Sequence, residues 1–137
     1  MIETLSMLAC GAAMAIYVRG FVHDIRHWRS QGRLGVKRVY VCAPFASDVD
    51  ANVEAVRDIA RHLTHSGQLP IAPHLILPAL VHEATQRDRA LRMCLSLIET
   101  CAEVRVYRGR GFTDGMRLEV DYAKSRGIPV VEVWGDR

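Results

Sequence analysis

Glu119 is the residue whose position in the sequence most strongly suggests chemistry. It lies in the stretch GRGFTDGMRLEVDYA at 109–123, which we interpret as a loop running into a helix with Glu119 on its buried side. One helical turn away are Gly115 and Ala123, so at i±4 Glu119 has neither a basic partner nor a bulky neighbour. Burying an ionised carboxylate costs several kcal/mol unless a partner pairs with it or a function uses it. Glu119 is therefore our candidate catalytic residue; the alternatives are a salt bridge to a distant arginine or a helix rotated so that it faces water.

Strands and helices alternate along the chain from residue 36 onwards. The hydrophobic spacing and the turn residues predict strands at 36–43, 69–72, 103–107 and 129–134, and helices at 50–66, 85–100 and 114–126, with a long connection containing Pro78 before the second of these helices. This alternation predicts an α/β fold, a Rossmann-like or flavodoxin-like three-layer sandwich with a four- to five-stranded parallel sheet and right-handed crossovers.

The amino-terminal part reads differently from the rest. Residues 1–35 are predicted to form an apolar helix and a linker, and residues 36–137 a single α/β domain. The uncharged run at 4–18 is shorter than the roughly 20 residues that a membrane-spanning helix needs. We expect this helix to pack on its own domain or on a second copy of the chain, and we do not expect it to contact a membrane.

Composition narrows the function classes. The formal charge is +3 and the lysines and arginines are scattered, so we expect no nucleic-acid polymer as a partner. The four cysteines form no CxxC pair and the six histidines no HExxH pattern. We therefore expect no metal, no cofactor, reduced thiols and a cytoplasmic location.

The carboxyl ends of the predicted strands gather residues suited to binding. In an open α/β sheet, ligands bind beyond these ends, and loops on a rigid scaffold often carry function. The candidate substrate-binding residues are Pro44, Phe45, Asn52, His74, Arg108, Arg110, Thr113, Gly115 and Met116. For Asn52 and His74 the alternative is that each only caps its own segment. Arg108 and Arg110 are candidates for a 5′-phosphate, or else form a solvated basic loop.

Four segments in this order resemble the nucleoside 2-deoxyribosyltransferase superfamily. They are VYVCAPF at 39–45, the helix containing Asn52, IAPHL at 71–75 and TDGMRLEVDYA at 113–123. The resemblance is strongest to small bacterial and phage members and covers about residues 36–134. It implies that Glu119 attacks C1′ of a 2-deoxyribosyl group, that the hydroxyl of Tyr40 holds the carboxylate in place, and that water or a second base resolves the covalent intermediate.

The resemblance further implies an enzyme that cleaves or transfers the N-glycosidic bond of a 2-deoxynucleoside or its 5′-monophosphate. It also implies a homo-oligomer, a dimer or larger. Relatives often have an aspartate six residues before the nucleophile, where this chain has Thr113. Asp114 is therefore our candidate acid, the alternative being a helix N-cap or first-turn acid. Two other functions remain open: a nucleotide-binding or sensing module without turnover, and an assembly protein that uses the amino-terminal helix.

Overall fold

The computed structural model describes residues 35–46 and 48–135, which include every element predicted after the linker. In chain order these elements are β1 (Arg38–Cys42), α1 (Val49–His65), β2 (Leu69–Ile71), α2 (Glu83–Ile98), β3 (Glu103–Tyr107), α3 (Asp114–Ser125) and β4 (Val130–Val133). The predicted amino-terminal helix and linker lie outside the described residues.

The four strands form one parallel sheet in the order β2-β1-β3-β4. The prediction of an α/β fold with a parallel sheet is thus confirmed, with four strands in the described part of the chain. From β1 the chain moves outward to β2, and from β3 it moves outward to β4 on the other side. The boundary between β1 and β3 is therefore the point where a sheet of this kind opens a crevice beyond its carboxyl ends.

Alternation along β1 decides which side chains can reach which helices. Val39 and Val41 pack in the hydrophobic cluster that contains α1 residues. Tyr40 and Cys42 point to the opposite face and pack with residues of α2 and α3. Successive side chains of a strand point to opposite faces, so helix layers cover both sides of the sheet, and Tyr40 shares a layer with the helix that carries Glu119.

The connection between β2 and α2 contains two short 3-10 turns, Pro73–Leu75 and Leu77–Ala79. Their backbone hydrogen bonds, such as Leu75 N–H to the Ala72 carbonyl, join residues only three or four positions apart. Leu77 is buried, whereas Leu80 is 68% exposed, so the segment has one apolar face inward and another outward. The sequence predicted this stretch only as a long connection.

Within the described residues, no helix combines the length and the apolar character that crossing a membrane requires.

Candidate active site

The side chain of Glu119 is buried and held by Tyr40. Glu119 lies in the middle of α3 and is 7% exposed, as its helical neighbours predicted. The hydroxyl of Tyr40 donates a hydrogen bond of 2.8 Å to Oε1 of Glu119. Tyr40 is fully buried, because its position on β1 places it beneath the helical layer that contains α3. The strand and the helix thus fix the carboxylate from both sides.

Two thiols complete the surroundings of this carboxylate. Cys94 on α2 interacts with both Glu119 and Tyr40, and Cys42 on β1 lies close to Glu119 while its thiol donates to the Met116 carbonyl at 4.0 Å. Burial raises the pKa of the Cys42 thiol and of the Tyr40 hydroxyl far above their ordinary values, so both groups remain protonated donors. Burial also raises the pKa of Glu119 above 4.5, while Tyr40, Cys42 and Cys94 partly oppose this shift.

A second buried glutamate shows what a purely structural arrangement looks like in the same molecule. Glu103 is 8% exposed and accepts from Lys37 at 2.6 Å and from Arg105 at 2.7 Å. Burial raises its pKa, but the two cations more than compensate and leave that pKa below 4.5. Glu119 has no cationic partner among the described residues. The fold therefore neutralises one buried carboxylate and leaves the other with uncharged donors alone.

The remaining glutamates with described side chains follow the pattern of Glu103. Glu54 pairs with Arg57, Glu99 with Arg126 and Glu132 with Arg108. Glu119 is thus the exception within the part of the chain that the structure describes, and neither alternative to a functional role, a distant arginine or a solvent-facing helix, applies to it there.

Glu119 borders a cavity of about 170 Å³ at the carboxyl end of the sheet. The walls are mostly apolar and come from the loop after β1, the 3-10 segment, α2 and the start of α3. The lining residues are Ala43, Phe45, Ala46, Pro73, His74, Leu77, Pro78, Val81, Arg87, Ala90, Leu91, Cys94, Thr113, Gly115, Met116, Leu118 and Glu119. The buried carboxylate of Glu119 therefore borders a mostly apolar cavity.

Of the predicted substrate-binding residues, five line this cavity: Phe45, His74, Thr113, Gly115 and Met116. Gly115 leaves space one turn before Glu119, because a Cβ there would touch only the Thr113 hydroxyl, at 3.7 Å. Pro44 is buried outside the lining.

His74 and Phe45 form a tilted ring pair on one wall, with centroids 5.5 Å apart. Burial lowers the pKa of His74 to about 4, with the backbone of Ala43 partly opposing this shift. At neutral pH His74 is therefore an uncharged ring, suited to contact with another flat or apolar group.

Thr113 and Asp114 are adjacent at the start of α3 but have different surroundings. Thr113 is the N-cap, and its hydroxyl accepts from the Met116 N–H at 3.3 Å. Asp114 is the next residue; it is exposed and outside the cavity lining. Asp114 thus lies in the first turn of the helix, where the helix dipole interacts favourably with an acidic side chain.

Arg108 and Arg110 are held elsewhere by other partners. Arg108 bonds Glu132 at 2.8 Å and stacks on the ring of Phe112, 4.0 Å from its centroid. Arg110 donates to Oδ1 of Asn52 at 2.8 Å. Neither arginine lines the cavity that Glu119 borders.

Asn52 lies on α1, on the other side of the sheet from Glu119, and is 4% exposed. Its amide nitrogen donates to the carbonyls of Phe45 and Ala46, both at 3.2 Å, while its oxygen accepts from Arg110. Asn52 therefore ties the loop after β1 to the loop after β3, and it braces the backbone of two residues that line the cavity.

Sequence reasoning missed the wall made by the 3-10 segment and α2. The missed lining residues include Leu77, Pro78, Val81, Arg87, Leu91 and Cys94. Those on α2 recur at positions 87, 91 and 94, a helical spacing that would have indicated one shared face. Only the packing of α2 on the sheet reveals that this face meets Glu119.

No cluster of three or more histidine, cysteine, aspartate or glutamate side chains suited to a metal ion occurs among the described residues.

We predict that Asn52→Ala destabilises the protein by about 1–3 kcal/mol, because two carbonyls and a guanidinium lose a buried partner. Arg110→Gln is the matched control, since it keeps both Asn52 bonds to the loop carbonyls, and we expect it to cost less than about 1 kcal/mol. Urea unfolding of both variants measures the difference. Equal losses would contradict the bracing role.

We predict that Glu119→Gln is more stable relative to the wild type at pH 7 than at pH 4. The folded-state pKa of Glu119 is raised above 4.5, so its stabilising effect is present below that value and is lost as pH rises through the folded pKa. Unfolding free energies measured at several pH values isolate this effect, because the two proteins share every other titrating group. A constant difference would contradict it.

The fold is similar to that of two solved structures. One is a 2-deoxyribosyltransferase from Bacillus psychrosaccharolyticus, with 18% identity, a TM-score of 0.59 and coverage of 71% of this chain and 72% of that chain. The other is a 2-desoxiribosyltransferase from Leishmania mexicana, with 16% identity, a TM-score of 0.53 and coverage of 72% of this chain and 64% of that chain. At this identity the likeness is one of fold, and it confirms the resemblance noted in the sequence.

No curated protein sequence matches the chain. A family model described as Domain of unknown function (DUF7768) matches residues 37–133, and the chain belongs to that family.

Proposed function

We propose that this protein cleaves or transfers the N-glycosidic bond of a 2-deoxynucleoside or its 5′-monophosphate through a covalent glycosyl intermediate on Glu119. The observation that carries the proposal is a buried carboxylate without a cationic partner among the described residues, held by Tyr40 at 2.8 Å beside a cavity. The fold shared with 2-deoxyribosyltransferases supports it.

In the proposed first step, a Glu119 oxygen attacks C1′ of the sugar. The C1′–O bond forms as the C1′–N bond breaks, and the base leaves with the electron pair of that bond. A carboxylate suits this step because the transition state resembles an oxocarbenium ion, which negative charge stabilises before a bond is complete. Water or a second base then attacks C1′ and frees the carboxylate.

The surroundings of Glu119 suit a nucleophile. Hydroxyl and thiol donors hold the anion in place without neutralising it, whereas a paired lysine or arginine would reduce its charge and its reactivity. The departing base also needs a proton, for which Asp114 is our candidate. Asp114 is exposed and one residue from Thr113 of the lining, so it would act at the mouth of the cavity.

We also propose that the protein works as a homo-oligomer, a dimer or larger, on the strength of the resemblance alone. The assembly role considered for the amino-terminal helix concerns residues outside those described.

We predict that the protein releases free base from at least one 2-deoxynucleoside or its 5′-monophosphate. Glu119→Ala and Glu119→Gln should lower the rate by at least about a hundredfold, because the bond-forming group is lost. Liquid chromatography of the reaction mixture measures the base. Glu54→Gln, on the surface of α1, is the control and should retain the wild-type rate.

Two results would overturn the proposal. One is base release that persists in Glu119→Gln. The other is a complete lack of release from all deoxynucleosides and their 5′-monophosphates, together with ligand-dependent melting, which would identify a nucleotide-binding module instead.

We predict that Tyr40→Phe moves the acidic limb of the pH–rate profile to higher pH. The nucleophile must be ionised, and the Tyr40 hydrogen bond lowers the pKa of Glu119, so its removal raises that pKa further. Measurement of kcat/KM from pH 4 to 8 for both proteins tests this. An unchanged acidic limb would show that the hydroxyl does not act on the carboxylate.

A further inference from the structure

The cavity contains two formally charged residues, and they lie on different elements. Among its lining residues, Glu119 on α3 and Arg87 on α2 are the charged ones, while His74 is neutral at pH 7 because burial lowers its pKa to about 4. No hydrogen bond or ion pair joins Arg87 to any other residue whose side chain is described. Arg87 is exposed, so its guanidinium lies on the solvent-accessible part of the cavity wall with no described partner.

The helical repeat of α2 sets the distance between these charges. Arg87, Ala90, Leu91 and Cys94 line the cavity as one stripe of the helix. Cys94 contacts Glu119, and Arg87 lies seven residues earlier, which is two turns or about 10 Å along the axis. Arg87 and the carboxylate therefore occupy different parts of the cavity wall.

The separation suits a substrate that carries its own negative charge away from the reacting carbon. In a deoxynucleotide, C1′ and the 5′-phosphate are separated by the sugar ring and one methylene group. An arginine side chain is long and flexible enough to reach a phosphate bound beside it, and its planar fork can donate two parallel hydrogen bonds to that phosphate. An uncharged nucleoside offers no ionised group to Arg87.

We propose that Arg87 binds the 5′-phosphate of the substrate, so that the preferred substrates are 2-deoxynucleoside 5′-monophosphates and not free nucleosides. This inference rests on the proposed function of the same site. The inference assigns phosphate binding to Arg87 on the cavity wall in place of Arg108 and Arg110, because Arg108 is bonded to Glu132 and Arg110 to Asn52.

The test compares kcat/KM for each 2-deoxynucleoside with that for its 5′-monophosphate. We expect the wild type to prefer the monophosphate by about tenfold or more, the size of a charge-assisted hydrogen bond. Arg87→Gln should lose most of this preference, and Arg87→Lys should restore part of it. Arg89→Gln is the matched control, since Arg89 is on the same helix but outside the lining, and it should keep the preference.

A second measurement separates this inference from the proposed function. In the Glu119→Gln protein, which cannot form the intermediate, calorimetry with deoxynucleoside 5′-monophosphates should detect binding that falls about tenfold or more when Arg87→Gln is added. Binding that depends on Arg87 without any turnover in the wild type would support the phosphate site and reject the enzyme. Base release with equal kcat/KM for nucleosides and monophosphates, or an unchanged preference in Arg87→Gln, would overturn the phosphate site and leave the enzyme intact.

Discussion

The hydrogen bond between Tyr40 and Glu119 is the interaction on which the arrangement of the site depends. It joins the central strand β1 to α3, and it is made where Tyr40 is fully buried and Glu119 is almost so. A carboxylate buried without a cation is tolerated only while its donors remain in place. Those donors come from β1 and α2, so three elements distant in sequence must pack correctly before the charge is acceptable.

The sheet separates the face that carries the candidate active site from the face on which Asn52 stabilises the neighbouring loop. Glu119, Tyr40 and the cavity lie on the face covered by α2 and α3. Asn52 lies in the opposite helical layer and donates hydrogen bonds to the backbone of the loop after β1. The loop can therefore present Phe45 to the cavity from a fixed base without contributing polar side chains to the apolar wall.

Much of this was predictable from local patterns. The strand and helix periods predicted every described α-helix and β-strand to within a few residues, and small neighbours at i±4 marked Glu119 as unusual. The rule that ligands bind beyond the carboxyl ends of parallel strands correctly placed Phe45, His74 and Thr113 around one space.

The rest depends on tertiary packing that no local pattern contains. The bond from Arg108 to Glu132 spans 24 residues and exists because β3 and β4 are neighbours in the sheet. The stripe on α2 is visible in the sequence, but its direction is set by how that helix lies on the sheet. Prolines indicated turns between β2 and α2, yet they did not indicate that the turns would form a wall.

That wall has a consequence for how molecules enter and leave. The 3-10 segment at 73–79 is joined to itself by short-range backbone bonds, whereas the strands beside it are bonded to one another across the sheet. Segments with only local pairing open at low free energy, well before the whole domain unfolds. The 3-10 segment is thus the part of the cavity wall that we expect to open at the lowest free energy, and its opening would leave the bond between Tyr40 and Glu119 in place.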